Sequence, residues 1–327
     1  MGQHGDDRLI SRRRALQTAF CSSAALAVNV GRSRAQPPVD RAGLHLLALG
    51  DFGTGDERQT AVAGAMRTFR ERAGIRLESL LLLGDNIYGG VPGGLAADSP
   101  RWRHVFEEMY PARDFDCPCY AVLGNHDYSD NAGGEQAQLA YARTPGTRWR
   151  MPAKWYRIDV GDGPGRLTIL ALDSNTVPQH LAAEEQREQQ AWLEKQLAAP
   201  RGAFTLVMAH HPVFSNGAYG DTPHLVRDWA PLFERHKVHV FLSGHEHDLQ
   251  HLELTDRFTS FVISGGGGHQ TRDLPLHDRP AAFGRAAHGF THLHVANDAL
   301  AIAHYGVDGG LLHRFTKRAD GGVRVEG

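Results

Sequence analysis

The sequence predicts an α/β protein in which strands alternate with helices, and three observations carry that expectation. Short, nearly unbroken apolar runs recur along the chain, as expected of strands buried on both faces. Stretches with helical patterning lie between them. Five of the runs stop at a glycine or alanine and then deliver an acid, amide or imidazole, the arrangement by which α/β sheets aim side chains into a cleft at their carboxyl edge.

The apolar runs are Leu44 to Leu49, Leu80 to Leu83, Tyr120 to Leu123, Leu167 to Leu172, Phe204 to Ala209, Val238 to Leu242 and Phe261 to Ser264. Helical patterning covers Glu57 to Ala73, Trp102 to Met109, Ala182 to Leu197 and His224 to His236. In the third of these, Trp192, Leu193 and Leu197 are spaced to face a core. The C-terminal part differs. Thr291 to Val295, Leu300 to Tyr305 and Leu311 to Thr316 read as antiparallel strands, with turns at Asn297-Asp298 and Asp308-Gly309-Gly310. A mixed sheet or a pair of packed sheets is the expected result, with Trp155 and Tyr156 assigned to packing. No repeat or long linker divides the chain after residue 40, so residues 36–327 read as a single domain.

Residues 1–35 are set apart. Ser11-Arg12-Arg13-Arg14-Ala15-Leu16 is a twin-arginine pattern, followed by a mildly apolar stretch and a small-residue site at Ser33-Arg34-Ala35. It is similar to a Tat-type signal peptide, which implies the Tat translocase as an export partner and a periplasmic or secreted location. The stretch is interrupted by Gln17, Thr18 and Asn29, so no stable membrane anchor is expected. Without this leader 29 basic side chains face 35 acidic ones, leaving no basic surface for nucleic acid. Cys117-Pro118-Cys119 is too close for an easy bridge and reads as a pair of strand-entry residues.

If the strands that end in LLALGDFG, LLLLGDNIY, YAVLGNHD, TLVMAHH and VFLSGHEH lie in one sheet with their carboxyl ends on one edge, Asp51, Asp85, Tyr88, Asn125, His210, His245 and His247 converge on one cleft. Seven oxygen and nitrogen donors without a thiolate suit iron, zinc or manganese. They are too many for one ion and fit two ions about 3.5 to 4 Å apart that share a carboxylate, the spacing of two-metal phosphatases and nucleases.

The five blocks resemble the signature of the purple acid phosphatases within the calcineurin-like metallophosphoesterases, DxG, GDxxY, GNHD, VxxH and GHxH. They stand here, in that order, as Asp51-Phe52-Gly53, Gly84-Asp85-Asn86-Ile87-Tyr88, Gly124-Asn125-His126-Asp127, Val207-Met208-Ala209-His210 and Gly244-His245-Glu246-His247. The segments HHPVFSNGAYG and GHEHDLQHL extend the similarity to the single-domain, tartrate-resistant type.

The resemblance implies a four-layer α/β/β/α sandwich with mixed sheets and a hydrolase of phosphate monoesters. It implies Fe(III) held by Asp51, Asp85, Tyr88 and His247, and Fe(II), Zn(II) or Mn(II) held by Asp85, Asn125, His210 and His245, with Asp85 bridging. His126 is implied to contact the phosphate and protonate the leaving oxygen after in-line attack by a metal-bound hydroxide, with Asp127 as its possible orienter. One departure stands out: Tyr219 occupies the position where the animal enzymes carry a second histidine. His211 and His224 read as surface or helix-start residues, Asp173-Ser174-Asn175 as a turn, and Gly265 to Gly268 as a sheet-edge turn or a phosphate cradle. Two other functions are compatible with the same donors: a metallophosphodiesterase or nucleotide hydrolase, and a non-catalytic protein that binds metal or phosphate.

Overall fold

The computed structural model describes residues 39–162, 166–176, 180–275, 279–296 and 298–326. Two mixed sheets organise them. The first has eight strands. Its centre is the parallel set Leu44–Leu49 (β1), Ser79–Leu82 (β2), Cys119–Ala121 (β3) and Trp149–Arg150 (β4). An antiparallel meander, Gly289–Ala296 (β12), Ala299–Gly306 (β13), Leu311–Arg318 (β14) and Val323–Glu326 (β15), continues it on the other side of β1.

The second sheet has seven strands. Leu167–Ala171 (β6), Phe204–Met208 (β7), Val240–Ser243 (β8) and Ser260–Ser264 (β10) run parallel. Tyr156–Val160 (β5), Leu249–Leu252 (β9) and Phe283–Arg285 (β11) add antiparallel edges.

Alternation along the second sheet shows what each face covers. Ile169, Leu206, Leu242 and Val262 join the core shared with the first sheet. Leu170, Val207, Phe241 and Phe261 pack instead with Leu193, Leu197, Trp229 and Phe233 from the helices Ala183–Ala198, Pro223–Asp228 and Ala230–Arg235. The helix Glu57–Ala73 covers the first sheet, with Phe69 against Phe290 and Tyr305 at 5.6 and 4.6 Å between ring centroids. The layers are therefore α/β/β/α, as the resemblance implies. That first helix starts where the Asp56 side chain accepts from the Arg58 and Gln59 amides, and it stops at Gly74 with φ of 62°.

Several elements differ from the sequence reading. Trp102 to Met109 is not a regular helix but a π-helical turn over Arg103–Glu107; the Val105 carbonyl accepts from the Gln59 amide at 2.7 Å, which competes with a regular ladder. The expected helix His224 to His236 breaks at Trp229, since Pro231 has no N–H to donate. Tyr156 both packs and opens β5, donating its hydroxyl to the Ala121 carbonyl at 2.7 Å. Cys117 and Cys119 are buried free thiols. Asn297 and the leader, with Arg12, Arg13 and Cys21, lie outside the described residues. No helix among the described residues is long and apolar enough to cross a membrane.

Candidate metal centre

The five strand ends do not share the one sheet supposed from the sequence but divide between two, and they meet where the two sheets adjoin. The first sheet supplies Asp51 after β1, Asp85 and Tyr88 after β2, and Asn125 and His126 after β3. The second supplies His210 after β7, and His245 and His247 after β8. A hydrogen bond from the Gly50 amide to the Ser264 carbonyl, 2.7 Å, ties the two edges together.

Backbone strain is concentrated here. Asp51, Asp85 and His245 have φ of 58°, 51° and 68°, in the left-handed region that costs non-glycine residues on the order of 1–3 kcal/mol each. Glycines permit the crowding around them: a Cβ on Gly124 would lie 2.2 Å from the backbone nitrogen and Oδ1 of Asp85.

The donors fall into two groups that share Asp85. In one, the Tyr88 hydroxyl lies 2.9 Å from Asp85 Oδ2, 3.2 Å from Asp51 Oδ1 and 3.4 Å from His247 Nε2. In the other, His210 Nε2 lies 3.4 Å from Asp85 Oδ1, 3.1 Å from Asn125 Oδ1 and 3.2 Å from His245 Nδ1.

Hydrogen bonds on the far side of the rings fix the tautomers. His210 Nδ1 meets the Leu83 carbonyl at 2.9 Å and His247 Nδ1 the Gln270 carbonyl at 2.8 Å. Both Nδ1 atoms must donate, so both Nε2 atoms present lone pairs inward. Asp51 Oδ2 is held by the His245 amide at 2.8 Å and Asp85 Oδ1 by the His126 amide at 2.9 Å. The second group therefore gathers a carboxylate, an amide oxygen and the His210 lone pair around one point, with His245 Nδ1 beside them, a donor set that suits a cation.

Electrostatics agree with this fit. Burial, followed by the neighbouring Asp85 charge, holds the Asp51 carboxyl well above its ordinary range, and burial raises Asp85 as well. Burial and both aspartates push the Tyr88 phenol up. Burial pushes His210 down to about 3 and His247 to about 4, keeping both rings neutral. Bound cations reverse the penalty on the acids and the phenol, so the donor set fits two cations sharing Asp85.

Around the donors, one expected role moves to another residue. Asp127 does not touch the His126 ring. Its buried carboxylate accepts from the amides of Asn86, Ile87 and Gly124 at 3.0, 3.1 and 2.8 Å and so pins the loop that carries Asp85. The carboxylate on His126 Nδ1 belongs to Asp130, at 2.9 Å. Helical geometry places residues four apart on one face, and that spacing is the signal by which Asp130 is readable.

Tyr219 stands at the rim, 57% exposed, stacked on His245 with 4.6 Å between ring centroids. The Arg272 guanidinium lies 4.6 Å from the Tyr219 ring centroid and donates to the His245 carbonyl. Sequence reasoning missed Arg272 and also His269, whose ring lies 4.4 Å from that of Tyr88.

Three other readings resolve. His211 is not a plain surface residue: its Nδ1 lies 2.8 Å from the Ser174 hydroxyl, and its donor atoms fall within 4.8 Å of those of His210 and His245. Asp173 and Asn175 do form a local turn, the Asn175 amide donating to Asp173 Oδ1 at 2.9 Å. Gly265 to Gly268 pack on the first sheet's edge, where the Gly267 amide donates to the Gly50 carbonyl at 3.0 Å.

Comparison with known proteins places this geometry. The calcineurin-like phosphoesterase family model matches residues 44–249. Tartrate-resistant acid phosphatase type 5 from Sus scrofa is 31% identical over 77% of this chain and 76% of its own length. Purple acid phosphatase 7 of Arabidopsis thaliana is 28% identical over 83% of this chain and 85% of its own. Among solved structures, purple acid phosphatase PPD1 from yellow lupin superposes with a TM-score of 0.65 at 16% identity, covering 86% of this chain and 55% of that one. Plasmodium GAP50, described as the anchor in the inner membrane complex, reaches 0.73 at 20% identity over 87% and 89%; at such identities these two likenesses concern the fold. The chain belongs to the calcineurin-like phosphoesterases, and its relatives among them are the tartrate-resistant and purple acid phosphatases.

Proposed function

We propose that the protein is an acid phosphatase of the purple type, a hydrolase of phosphate monoesters working with two cations. The single observation that carries this reading is Asp85, whose Oδ2 faces the Tyr88 group and whose Oδ1 faces the His210 group, with His126 beside it. We assign Fe(III) to Asp51, Asp85, Tyr88 and His247, and Fe(II), Zn(II) or Mn(II) to Asp85, Asn125, His210 and His245. When bound, such cations neutralise phosphoryl charge and acidify a water.

The chain's own residues do the remainder. Asp51 and Asp85 are held by the amides of His245 and His126, which orients them before any cation arrives. Asp127 keeps the Asp85–Tyr88 loop in place through the Asn86 and Ile87 amides and ties it to Gly124 through a third. His126, its side chain 36% exposed, is accessible from solvent beside the centre and donates a proton to the departing oxygen. Tyr219 and Arg272 form the rim over which the ester's organic group lies. A phosphodiester or nucleotide substrate for the same centre is the second reading, favoured by Arg272, a permanent cation beside an exposed aromatic ring.

The leader's twin-arginine pattern supports export by the Tat translocase to the periplasm or the exterior, without a stable membrane anchor. The acidic charge balance outside the leader supports a small phosphate ester, not a nucleic acid, as partner.

The test is hydrolysis of p-nitrophenyl phosphate and bis-p-nitrophenyl phosphate by protein purified without chelator, with metal content and visible spectrum recorded. Turnover of the monoester by a purple protein with two metals per chain is the expected result, with His126→Ala keeping its metals and losing on the order of 10²-fold on an alkyl phosphate, whose leaving oxygen needs a proton, and much less on p-nitrophenyl phosphate. Faster diester turnover selects the second reading. A protein that takes up two metals and hydrolyses neither ester overturns both.

A further inference from the structure

Asp130 follows the short helix Asn125–Ser129, and its carboxylate serves three partners. Oδ2 accepts the Gly89 amide at 2.7 Å, and Oδ1 accepts the Ser129 hydroxyl at 3.1 Å while lying 2.9 Å from His126 Nδ1. A carboxylate offers no proton in return, so His126 Nδ1 must be the donor. The Gly89 contact fastens the same carboxylate to the loop that carries Asp85 and Tyr88. The His126 ring lies against Tyr88, 4.7 Å between centroids, which leaves Nε2 as the nitrogen with no partner among the described residues.

We infer that Asp130 is a positioning residue that keeps the His126 proton on Nδ1, so that Nε2 is the nitrogen that exchanges a proton with the substrate. The inference rests on the proposed role of His126 and on hydrogen-bond geometry. In the step it serves, a water-derived oxygen bonds to phosphorus and gives up a proton to solvent, the P–O bond of the ester breaks with its electron pair left on the departing oxygen, and that oxygen takes the proton from Nε2. The ring is left neutral with its remaining proton on Nδ1, bonded to Asp130, and water restores the Nε2 proton. A carboxylate suits every stage of this cycle, because Nδ1 never has to become an acceptor.

The informative variant is Asp130→Asn. Its single carbonyl oxygen cannot serve both the Gly89 amide and His126 Nδ1 in their present places. If the oxygen stays on Gly89, the new amide group points N–H at Nδ1 and drives the neutral ring to the opposite tautomer. This is the reasoning by which replacing the aspartate of a Ser-His-Asp triad with asparagine misplaces the histidine proton. Asp130→Ala removes the Gly89 and His126 contacts together and serves as the structural control.

Two readouts decide the matter. Long-range ¹H–¹⁵N correlation spectra of the full chain loaded with zinc alone, with the His126 signal assigned from His126→Gln, are expected to show the Nδ1–H pattern in the parent and the Nε2–H pattern in Asp130→Asn. Turnover is expected to fall about 10- to 100-fold for an alkyl phosphate but less than about threefold for p-nitrophenyl phosphate, whose leaving group needs little protonation, with KM nearly unchanged. An Nε2–H ring in the parent, or an asparagine variant that keeps the parent tautomer and loses both esters equally, overturns the inference. If the parent hydrolyses no ester at all, the phosphatase reading fails, and the spectra still decide what Asp130 does to His126.

Discussion

His304 offers a test of the fold's electrostatics away from the candidate centre. It lies fully buried on β13, with Nε2 donating to the Gln250 carbonyl across the sheets at 3.2 Å and Nδ1 2.9 Å from the Thr291 hydroxyl. Burial first, then the nearby His313 and His251, push it from its ordinary 6.5 down to about 3. Between those values the unfolded chain binds a proton that the folded protein refuses. Stability is therefore complete above about pH 6.5 and falls as pH drops towards 3. At about 1.4 kcal/mol per pH unit, His304 alone removes about 2 kcal/mol between pH 7 and pH 5. His304→Gln keeps a donor for Gln250, costs about 1 kcal/mol at pH 7 through the lost Thr291 partner, and abolishes this loss. Urea unfolding of parent and variant at both pH values, with the same metal content, should show the gap narrowing or reversing at pH 5. If the two curves lose stability in parallel to within about 0.5 kcal/mol, the buried ring is not the cause.

Other expectations concern the centre and the thiols. Gly124→Ala should displace Asp85, because the added carbon would sit 2.2 Å from its backbone nitrogen and Oδ1; metal analysis should find less than the parent's content, and an unchanged content would refute the packing requirement. Tyr88→Phe should abolish the visible absorption expected of a phenolate on iron while the far-UV circular dichroism stays unchanged; a persisting band would remove Tyr88 as the chromophore. Burial pushes the Cys117 thiol up to about 11 and Cys119 higher still. Peptide mapping after alkylation at pH 8 should therefore find both unmodified in the native protein and modified in urea, and rapid native labelling would show that this part of the sheet opens.

The parts legible in the sequence share a cause. Parallel strands buried on both faces must be apolar, and chains that turn sharply into a crowded edge need glycine, so β1, β2, β3, β7 and β8 announce themselves together with the donors they deliver. The elements that escape notice lack that signature. Leu249–Leu252 holds Gln250 and His251 buried in a polar network, with Gln250 bonded to Asn216, Ser215 and Asp248. A pattern search reads such residues as exposed. Asp127 was expected beside His126 because it is adjacent in sequence, yet adjacent residues on a helix diverge and the fourth residue returns. Apart from the Asn86 side-chain amide, the donors to its carboxylate are backbone amides, which leave no trace in side-chain identity. Arg272 and His269 reach the centre only through the packing of a glycine-rich turn on the other sheet's edge.

The division of the candidate donors between two sheets bears on how the protein is made. Asp51, Asp85, Tyr88 and Asn125 are synthesised first, but His210, His245 and His247 emerge on a separate sheet more than eighty residues later. A nascent chain that has not reached His210 holds four of the seven donors, with no opposite wall. A cation that needs donors from both sheets is held best by the finished, folded chain, and its binding then adds to the stability of the native state. A cell that moved this polypeptide across a membrane unfolded would have to supply the metals on the far side; one that moved it folded could load them before departure.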